Sequence, residues 1–166
     1  MLVGGSTTGL WLDTDLFKSW IMNTCFHSIS FVIGLMMFKL VINSGRNTGR
    51  LLTRLDIEAD SPWMEANKLV NKGYYEYMRN SMHFGRLLFP WAIAFIIGSL
   101  SFVLIIAPLE MLIIVLMVKL VEEPQAVRKF GNEYLRYLEK VPVFSLRPDC
   151  LTALFGKIEP EKFRNG

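Results

Sequence analysis

Two groups of polar side chains flank the most apolar part of this 166-residue chain. Arg79, Asn80 and His83 come shortly before an uncharged run, and Glu122 and Glu123 follow the apolar region on its other side. A guanidinium, an amide and an imidazole bind polar and anionic groups, whereas carboxylates bind cations and accept hydrogen bonds. We therefore expect a polar ligand site, provided that the intervening elements bring the two groups together.

The element that must do so begins with Leu87–Ile106, twenty residues without a charge. As a helix this run would be about 30 Å long, which matches the hydrocarbon core of a bilayer. A second apolar run, Met111–Val118, follows after Pro108 and Glu110. One continuous helix would be about 50 Å long and would leave a carboxylate in lipid. We therefore predict a transmembrane hairpin with spans over 87–106 and 109–121 and a turn at Pro108; a continuous helix is the alternative.

Two further helices complete the prediction of an all-α integral membrane protein with a single membrane domain over residues 1–166. The first is an N-terminal span over Trp20–Ile42, in which Lys39 can snorkel to the interface. The polar side chains of Asn23 and His27 in this span are expected to make interhelical hydrogen bonds. The second is an amphipathic surface helix over residues 124–139, where apolar residues recur at helical spacing.

Basic residues indicate how the chain crosses the membrane. Arg46, Arg50 and Arg54 recur every four residues in Asn43–Asp60, a segment that we predict to be a polar connection. Further basic residues lie both between this segment and the predicted hairpin and after the hairpin, whereas the predicted turn has none. The positive-inside rule then places both basic segments on the cytosol-like or matrix-like side, with the N-terminus opposite. The membrane itself is not specified; the endoplasmic reticulum and an organelle inner membrane both fit.

Composition excludes several classes of function. The net charge is only +3, which does not suggest a nucleic-acid partner. Cys25 and Cys150 lie far apart, and the chain has two histidines, so we expect neither a disulfide framework nor a metal site. The N-terminal segment has neither the basic start of a signal peptide nor the arginine bias of a transit peptide.

Read in order, the motifs resemble those of a known superfamily. The sequence Gly-Tyr-Tyr-x-Tyr-x-Arg-Asn-x-Met-x-x-Gly is followed by the apolar hairpin, Glu-Glu, Phe-Gly-x-x-Tyr-x-x-Tyr and Val-Pro. This order is similar to that of the isoprenylcysteine carboxyl methyltransferases and phospholipid methyltransferases, and the similarity covers about Leu69 to Phe144. It implies membrane helices that hold S-adenosylmethionine at the cytosolic face. The methyl acceptor would be a lipidic carboxylate or amine, including prenylated cysteine, that enters from the bilayer.

The resemblance also implies roles for particular residues. Arg79 and Glu123 would be the catalytic residues, and no metal would take part. Cofactor contacts would come from nine residues shared among the motifs: Tyr75, Arg79, Asn80, His83, Gly85, Glu122, Glu123, Gly131 and Tyr134.

The chain departs from the pattern of the superfamily at two motifs, and in the first the usual Gly-Pro-Tyr is Gly-Tyr-Tyr over residues 73–75, without the proline. Where the pattern is Arg-His-Pro-x-Tyr, this sequence reads Arg-Asn-Ser-Met-His over residues 79–83. Asparagine can replace the hydrogen bonds of histidine, but the lost proline removes a rigid turn. The alternative is therefore a catalytically inactive, methyltransferase-like accessory subunit of a larger membrane complex, which binds lipid or neighbouring subunits. In that case Cys25, His27, Ser28, Ser30 and Gly34 would form a helix-contact face.

Overall fold

The computed structural model describes residues 2–17, 23–55 and 69–156, and all regular structure in these ranges is helical. The predicted all-α class is confirmed. Helices α2 and α5 are each long and apolar enough to cross a membrane. The helices, in chain order, are α1 (Leu2–Leu16), α2 (Thr24–Leu55), α3 (Ser81–Arg86), α4 (Phe89–Ile97), α5 (Phe102–Phe130), α6 (Asn132–Lys140) and α7 (Pro148–Phe155), with a 3₁₀ turn at Gly73–Glu76 before α3.

The chain folds as two compact units. The first, called here the hairpin unit, contains the described residues within 1–41 and 85–116. The second, called the polar unit, contains those within 42–84 and 117–166. Residues 20–22 of the predicted first span lie outside the described residues.

Small residues let α2 approach α4 closely inside the hairpin unit. The Ser30 hydroxyl donates a hydrogen bond to the Phe95 carbonyl oxygen at 2.7 Å. One turn further along α2, a Cβ on Gly34 would lie 2.6 Å from the Ile96 backbone nitrogen, so only glycine fits. Two residues of the predicted helix-contact face therefore make that contact. Cys25, in contrast, is exposed.

The hairpin turns between α4 and α5. Gly98 ends α4 with φ of 72° and ψ of 29°, a left-handed conformation that favours glycine. A Cβ on Gly98 would also collide with the His27 imidazole. The buried Asp13 carboxylate accepts a hydrogen bond from the Ser101 N–H at 2.7 Å, which satisfies a free donor in the first turn of α5.

The predicted turn at Pro108 is therefore wrong, and α5 continues through it. A π-helical stretch, Phe102–Ile106, precedes the proline, and the Ala107 N–H bonds back to the Phe102 carbonyl. Such a widened turn accommodates a proline inside a helix, because it relieves the clash with the preceding turn. The Glu110 carboxylate lies against α1, where a Cβ on Gly5 would be 3.2 Å from it. The predicted spans over 87–106 and 109–121 thus become α4 and part of α5.

Helix α2 extends well beyond its predicted end at Ile42. The segment Asn43–Asp60 was expected to be a polar connection, but it is helical as far as Leu55, and its remainder lies outside the described residues. The Asn47 side chain donates to the Leu154 carbonyl at 2.9 Å and to the Gly156 carbonyl at 3.0 Å. Packing against α7 therefore supports a polar extension that has little hydrophobic signal of its own.

The predicted surface helix over residues 124–139 is also divided differently. A second π-helical stretch, Val118–Glu122, precedes Pro124 as the first precedes Pro108, and α5 continues to Phe130. Gly131 then adopts φ of 55° and ψ of −131°, a conformation that is open essentially to glycine alone. Helix α6 starts immediately after this bend. Pro124 thus lies inside α5, and Gly131 separates α5 from α6.

A small core in the polar unit makes stability sensitive to alkaline pH. Tyr74, Met78, Cys150 and Leu154 pack together. Burial, and secondarily Cys150, raises the pKa of the Tyr74 phenol to about 12. An unfolded chain releases this proton near pH 10, so the stabilisation is complete below pH 10 and is lost as pH rises towards 12.

We expect Tyr74 to account for about 3 kcal/mol of the stability lost over that interval. The measurement is the unfolding midpoint of the purified protein at pH 9, 10, 11 and 12. Tyr74→Phe cannot ionise, so its midpoint should fall less steeply with pH than that of the wild type. Equal slopes would contradict this assignment.

Candidate functional site

Arg79 forms the centre of the polar unit. Its Nη2 donates to Glu123 Oε1 at 2.7 Å, and its Nη1 donates to the carbonyl oxygens of Leu138 and Val141, both at 2.8 Å. The side chains of Arg79 and Glu123 are only 8% and 17% exposed. The two carbonyls belong to the C-terminal end of α6, where a cation is favoured by the helix dipole. One guanidinium therefore links α5, α6 and the segment before α3.

The backbone on either side of Arg79 is fixed as well. The Arg79 N–H donates to the Pro142 carbonyl at 3.0 Å, and the Asn80 N–H donates to the Val143 carbonyl at 3.2 Å. These two bonds align the residues before α3 with the extended chain that follows α6. The Val-Pro motif thus contributes backbone acceptors, because proline supplies a carbonyl but no N–H.

His83, four residues after Arg79, forms a second contact between a basic and an acidic side chain. Its Nε2 is 2.9 Å from Glu122 Oε1. These side chains are 14% and 32% exposed, so this pair is more accessible than the pair formed by Arg79 and Glu123. His83 lies within α3, whereas Arg79 lies in the turn that precedes it. Two adjacent glutamates consequently meet two different basic partners.

Tyrosines pack beside these pairs. Tyr134 is buried, and its pKa is raised mainly by burial and next by Glu123, while Arg79 acts in the opposite direction. Its ring lies 5.8 Å from that of Tyr137, centroid to centroid. The Tyr137 hydroxyl donates to the Tyr75 carbonyl oxygen. All these phenols are neutral at physiological pH, so they shield the charged groups without adding charge.

The structure thus brings together most of the residues that the sequence singled out. Gly85 is buried in α3, and Gly131 forms the bend between α5 and α6, where a Cβ would meet nothing within 4 Å. Gly85 belongs to the hairpin unit, and the polar unit contains Gly131 and the other candidates: Tyr75, Arg79, Asn80, His83, Glu122, Glu123 and Tyr134.

Sequence reasoning missed the two backbone carbonyls that Arg79 binds. A signal for them exists, since Val141 precedes a proline and a helix commonly ends just before such a pair. Carbonyl groups at a helix C-terminus lack intrahelical partners and attract cations. Which cation would reach them could not be read from the spacing, because Arg79 lies 59 residues before Leu138.

Buried donors in the polar unit fit a bound polar ligand. Asn80 Nδ2 and Arg79 Nε are buried and have no hydrogen-bond partner among the described residues. Unpaired buried donors are uncommon, and a ligand carboxylate or ribose oxygen would satisfy them. In the described ranges, no three His, Cys, Asp or Glu side chains are placed to share a metal ion.

The hairpin unit has a separate apolar groove of about 430 Å³. A volume of this order suits a small molecule or part of a lipid chain. The lining is apolar except for one basic and one acidic side chain: Val41, Arg86, Phe89, Pro90, Glu110, Ile113 and Ile114.

Comparison with known families identifies the family of the chain. The family model described as phospholipid methyltransferase matches residues 22–133, well over half of the chain. The chain belongs to the phospholipid methyltransferase family. The match includes both long apolar helices and the Arg79, His83 and twin-glutamate positions.

Family membership and the two long apolar helices together identify an integral membrane protein of the methyltransferase class. Members of this family typically use S-adenosylmethionine. The chain matches no curated protein and no solved structure.

Proposed function

We propose that this protein transfers the methyl group of S-adenosylmethionine to an amine or carboxylate carried by a lipid or a prenylated cysteine. The observation that supports this most strongly is the meeting of Arg79 and His83 with Glu123 and Glu122, at 2.7 and 2.9 Å, within a phospholipid methyltransferase chain. The motif residues are far apart in sequence, and nothing in general helix packing requires their basic and acidic members to pair.

The chemistry matches the residues present. S-adenosylmethionine, when bound, supplies a methyl group on a positively charged sulfur. The protein has to align the acceptor with that methyl group and exclude water, which accounts for much of the rate enhancement in such displacements. Glu122 offers a carboxylate to the positive charge, and Asn80 offers a buried donor. Arg79 holds Glu123 and the end of α6 in place.

Features of the hairpin unit support a lipid as the acceptor. Large apolar side chains are exposed along α2 and α5, including Phe31, Leu35, Leu112 and Leu116, as expected for surfaces in contact with acyl chains. The apolar groove could take part of such a chain. We place the polar unit on the cytosol-like or matrix-like side, since exposed basic residues such as Arg46 and Arg50 lie in it.

The first test is ligand binding by the full chain in detergent or nanodiscs. We expect measurable affinity for S-adenosylmethionine, followed by transfer of a labelled methyl group to lipid extracted from the same membranes. Glu123→Gln should lower the transfer rate at least tenfold while the protein remains helical, because the charge that fixes Arg79 is lost. Glu139→Gln, at an exposed position in α6, is the matched control and should have no effect.

One observation favours a second candidate, an inactive accessory subunit that binds lipid or neighbouring subunits. Arg79 is committed to Glu123 and to two carbonyls, as in a purely structural clamp. Under this alternative the folded protein binds no S-adenosylmethionine, and mild detergent extracts it with partner subunits. Binding of the cofactor by a free, monodisperse species would rule it out.

A further inference from the structure

Glu110 is the one charged side chain in the apolar part of α5. It lies eight residues after Phe102 and nine before Lys119, the next charged residue of the helix. At the helical rise per residue it is about 12 Å from the start of α5 and about 14 Å from Lys119, so it lies near the middle of the span. An ionisable group at that depth is costly, and in membrane proteins it usually marks a site.

The surroundings of Glu110 favour its charge without pairing it. Among the described residues, its carboxylate makes no ion pair and no hydrogen bond. The Glu110 Oε1 lies beside Gly5, where a Cβ would be 3.2 Å away, near the start of α1. The positive end of a helix dipole stabilises a carboxylate in such a position. The carboxylate oxygens therefore still have room for a hydrogen-bond donor.

Glu110 lines the apolar groove of the hairpin unit. Ile113, three residues further along α5, lines it too and is 38% exposed, so the groove reaches the outer surface of the helices. In a membrane such a surface contacts lipid. Arg86, the other charged residue of the lining, is exposed and has an interaction of its own. A ligand that enters from the bilayer thus meets an apolar wall with an unpaired acceptor.

We propose that this groove binds a lipid alcohol: one apolar chain with a neutral hydroxyl that donates a hydrogen bond to Glu110. The groove volume of about 430 Å³ is at the lower end of the range for ligand sites, which suits one chain rather than two. A hydroxyl satisfies a carboxylate oxygen and brings no further charge into the hydrocarbon core. No methyl transfer is involved, so the inference does not rest on the proposed function.

Other occupants suit the groove less well. A phosphate or a carboxylate would be repelled by Glu110 at this depth. An ammonium would be attracted, but it would bring a second ion into the hydrocarbon core. A bound water needs roughly two to four polar partners, whereas the lining apart from Glu110 and Arg86 is apolar.

Photolabelling of the full chain in nanodiscs tests the proposal. The probe is hexadecan-1-ol with a diazirine in its chain, and mass spectrometry of peptides locates the labelled residues. We expect labelling within residues 86–90 and 110–114, which line the groove. Unlabelled hexadecan-1-ol should suppress this labelling about fivefold more effectively than its methyl ether, which has the same chain but no hydroxyl donor.

Three variants assign this preference to Glu110. Glu110→Leu removes the acceptor and keeps an apolar side chain, so the alcohol and the ether should compete equally. Glu110→Gln keeps an acceptor oxygen without the charge and should retain a smaller preference of about twofold, since hydrogen bonds to charged groups are the stronger ones. Leu104→Ala, at a 57% exposed position of α5 that does not line the groove, is the control and should behave as the wild type.

Several outcomes would overturn the proposal. They are equal competition by the alcohol and the ether in the wild type, an unchanged preference in Glu110→Leu, and labelling confined to other segments. Stronger competition by hexadecan-1-amine than by the alcohol would mean that Glu110 selects a cation instead. If Glu110→Leu does not fold, the wild type and Glu110→Gln still decide the question. S-adenosylmethionine is left out of all these measurements, so their outcome leaves the proposed function untouched.

Discussion

Arg79→Met is expected to lower the free energy of unfolding by roughly 3–5 kcal/mol, the usual cost of removing one partner of a buried ion pair. The substitution leaves Glu123 charged at 17% exposure and leaves the carbonyls of Leu138 and Val141 without their donor. It retains most of the apolar volume of the arginine stem, so lost packing contributes little. Denaturant or thermal unfolding of the purified protein in detergent measures the change.

A double-mutant cycle separates this ion pair from packing. Replacing both partners, as in Arg79→Met with Glu123→Leu, removes the unpaired charge and should recover part of the lost stability. Arg79→Lys retains the charge but not the fork of donors that serves a carboxylate and two carbonyls at once, so an intermediate loss is expected. If Arg79→Met unfolded at the wild-type midpoint, the central position given to this residue would be wrong.

The meeting of the acidic and basic side chains was easier to predict than the position of the hairpin turn. Arg79 and His83 come before the hairpin, and Glu122 and Glu123 follow it. A hairpin that turns at Pro108 and one that turns at Gly98 would both return the two glutamates to the basic residues. The identity of each pair could not be predicted. Adjacent residues of a helix point in directions about 100° apart, so the pairing depends on how α5 is rotated about its own axis.

The position of the hairpin turn shows why local signals failed. The sequence predicts a turn at Pro108 because proline lacks an N–H and because a continuous helix would leave the Glu110 carboxylate in lipid. In the structure, a widened π-helical turn precedes the proline and accommodates it within α5. The Glu110 carboxylate packs against Gly5 of α1. The actual turn uses Gly98, which looked unremarkable within a run of apolar residues.

The extension of α2 was missed for a related reason. Its sequence contains Asn43, Gly45 and Gly49, which have weak helix propensity, so a loop was the better local interpretation. The stability of the helix comes from its contact with α7, where Asn47 binds two carbonyls and Thr48 is fully buried. A polar helix that is held by distant polar partners cannot be found from hydrophobic periodicity.

The close approach of α2 to α4 can be tested by replacing each of two glycines of α2 with alanine, in separate variants. Gly34→Ala places a Cβ 2.6 Å from the Ile96 nitrogen and 3.0 Å from the Ala92 carbonyl oxygen, both backbone atoms that cannot rotate away. The helices must separate, which also strains the hydrogen bond from Ser30 to Phe95. We expect a loss of about 3 kcal/mol, at the upper end for overpacking by a single methyl group.

Gly45→Ala is the matched control, because a Cβ there would meet nothing within 4 Å. In that open position the only effect is on helix propensity, which favours alanine by about 0.5–1 kcal/mol. The same change in the same helix should thus lower the thermal midpoint at position 34 and raise it at position 45. Equal shifts at both positions would mean that α2 does not contact α4 through Gly34. Without this contact, glycine at position 34 would be hard to explain, because glycine weakens a helix that must cross a membrane.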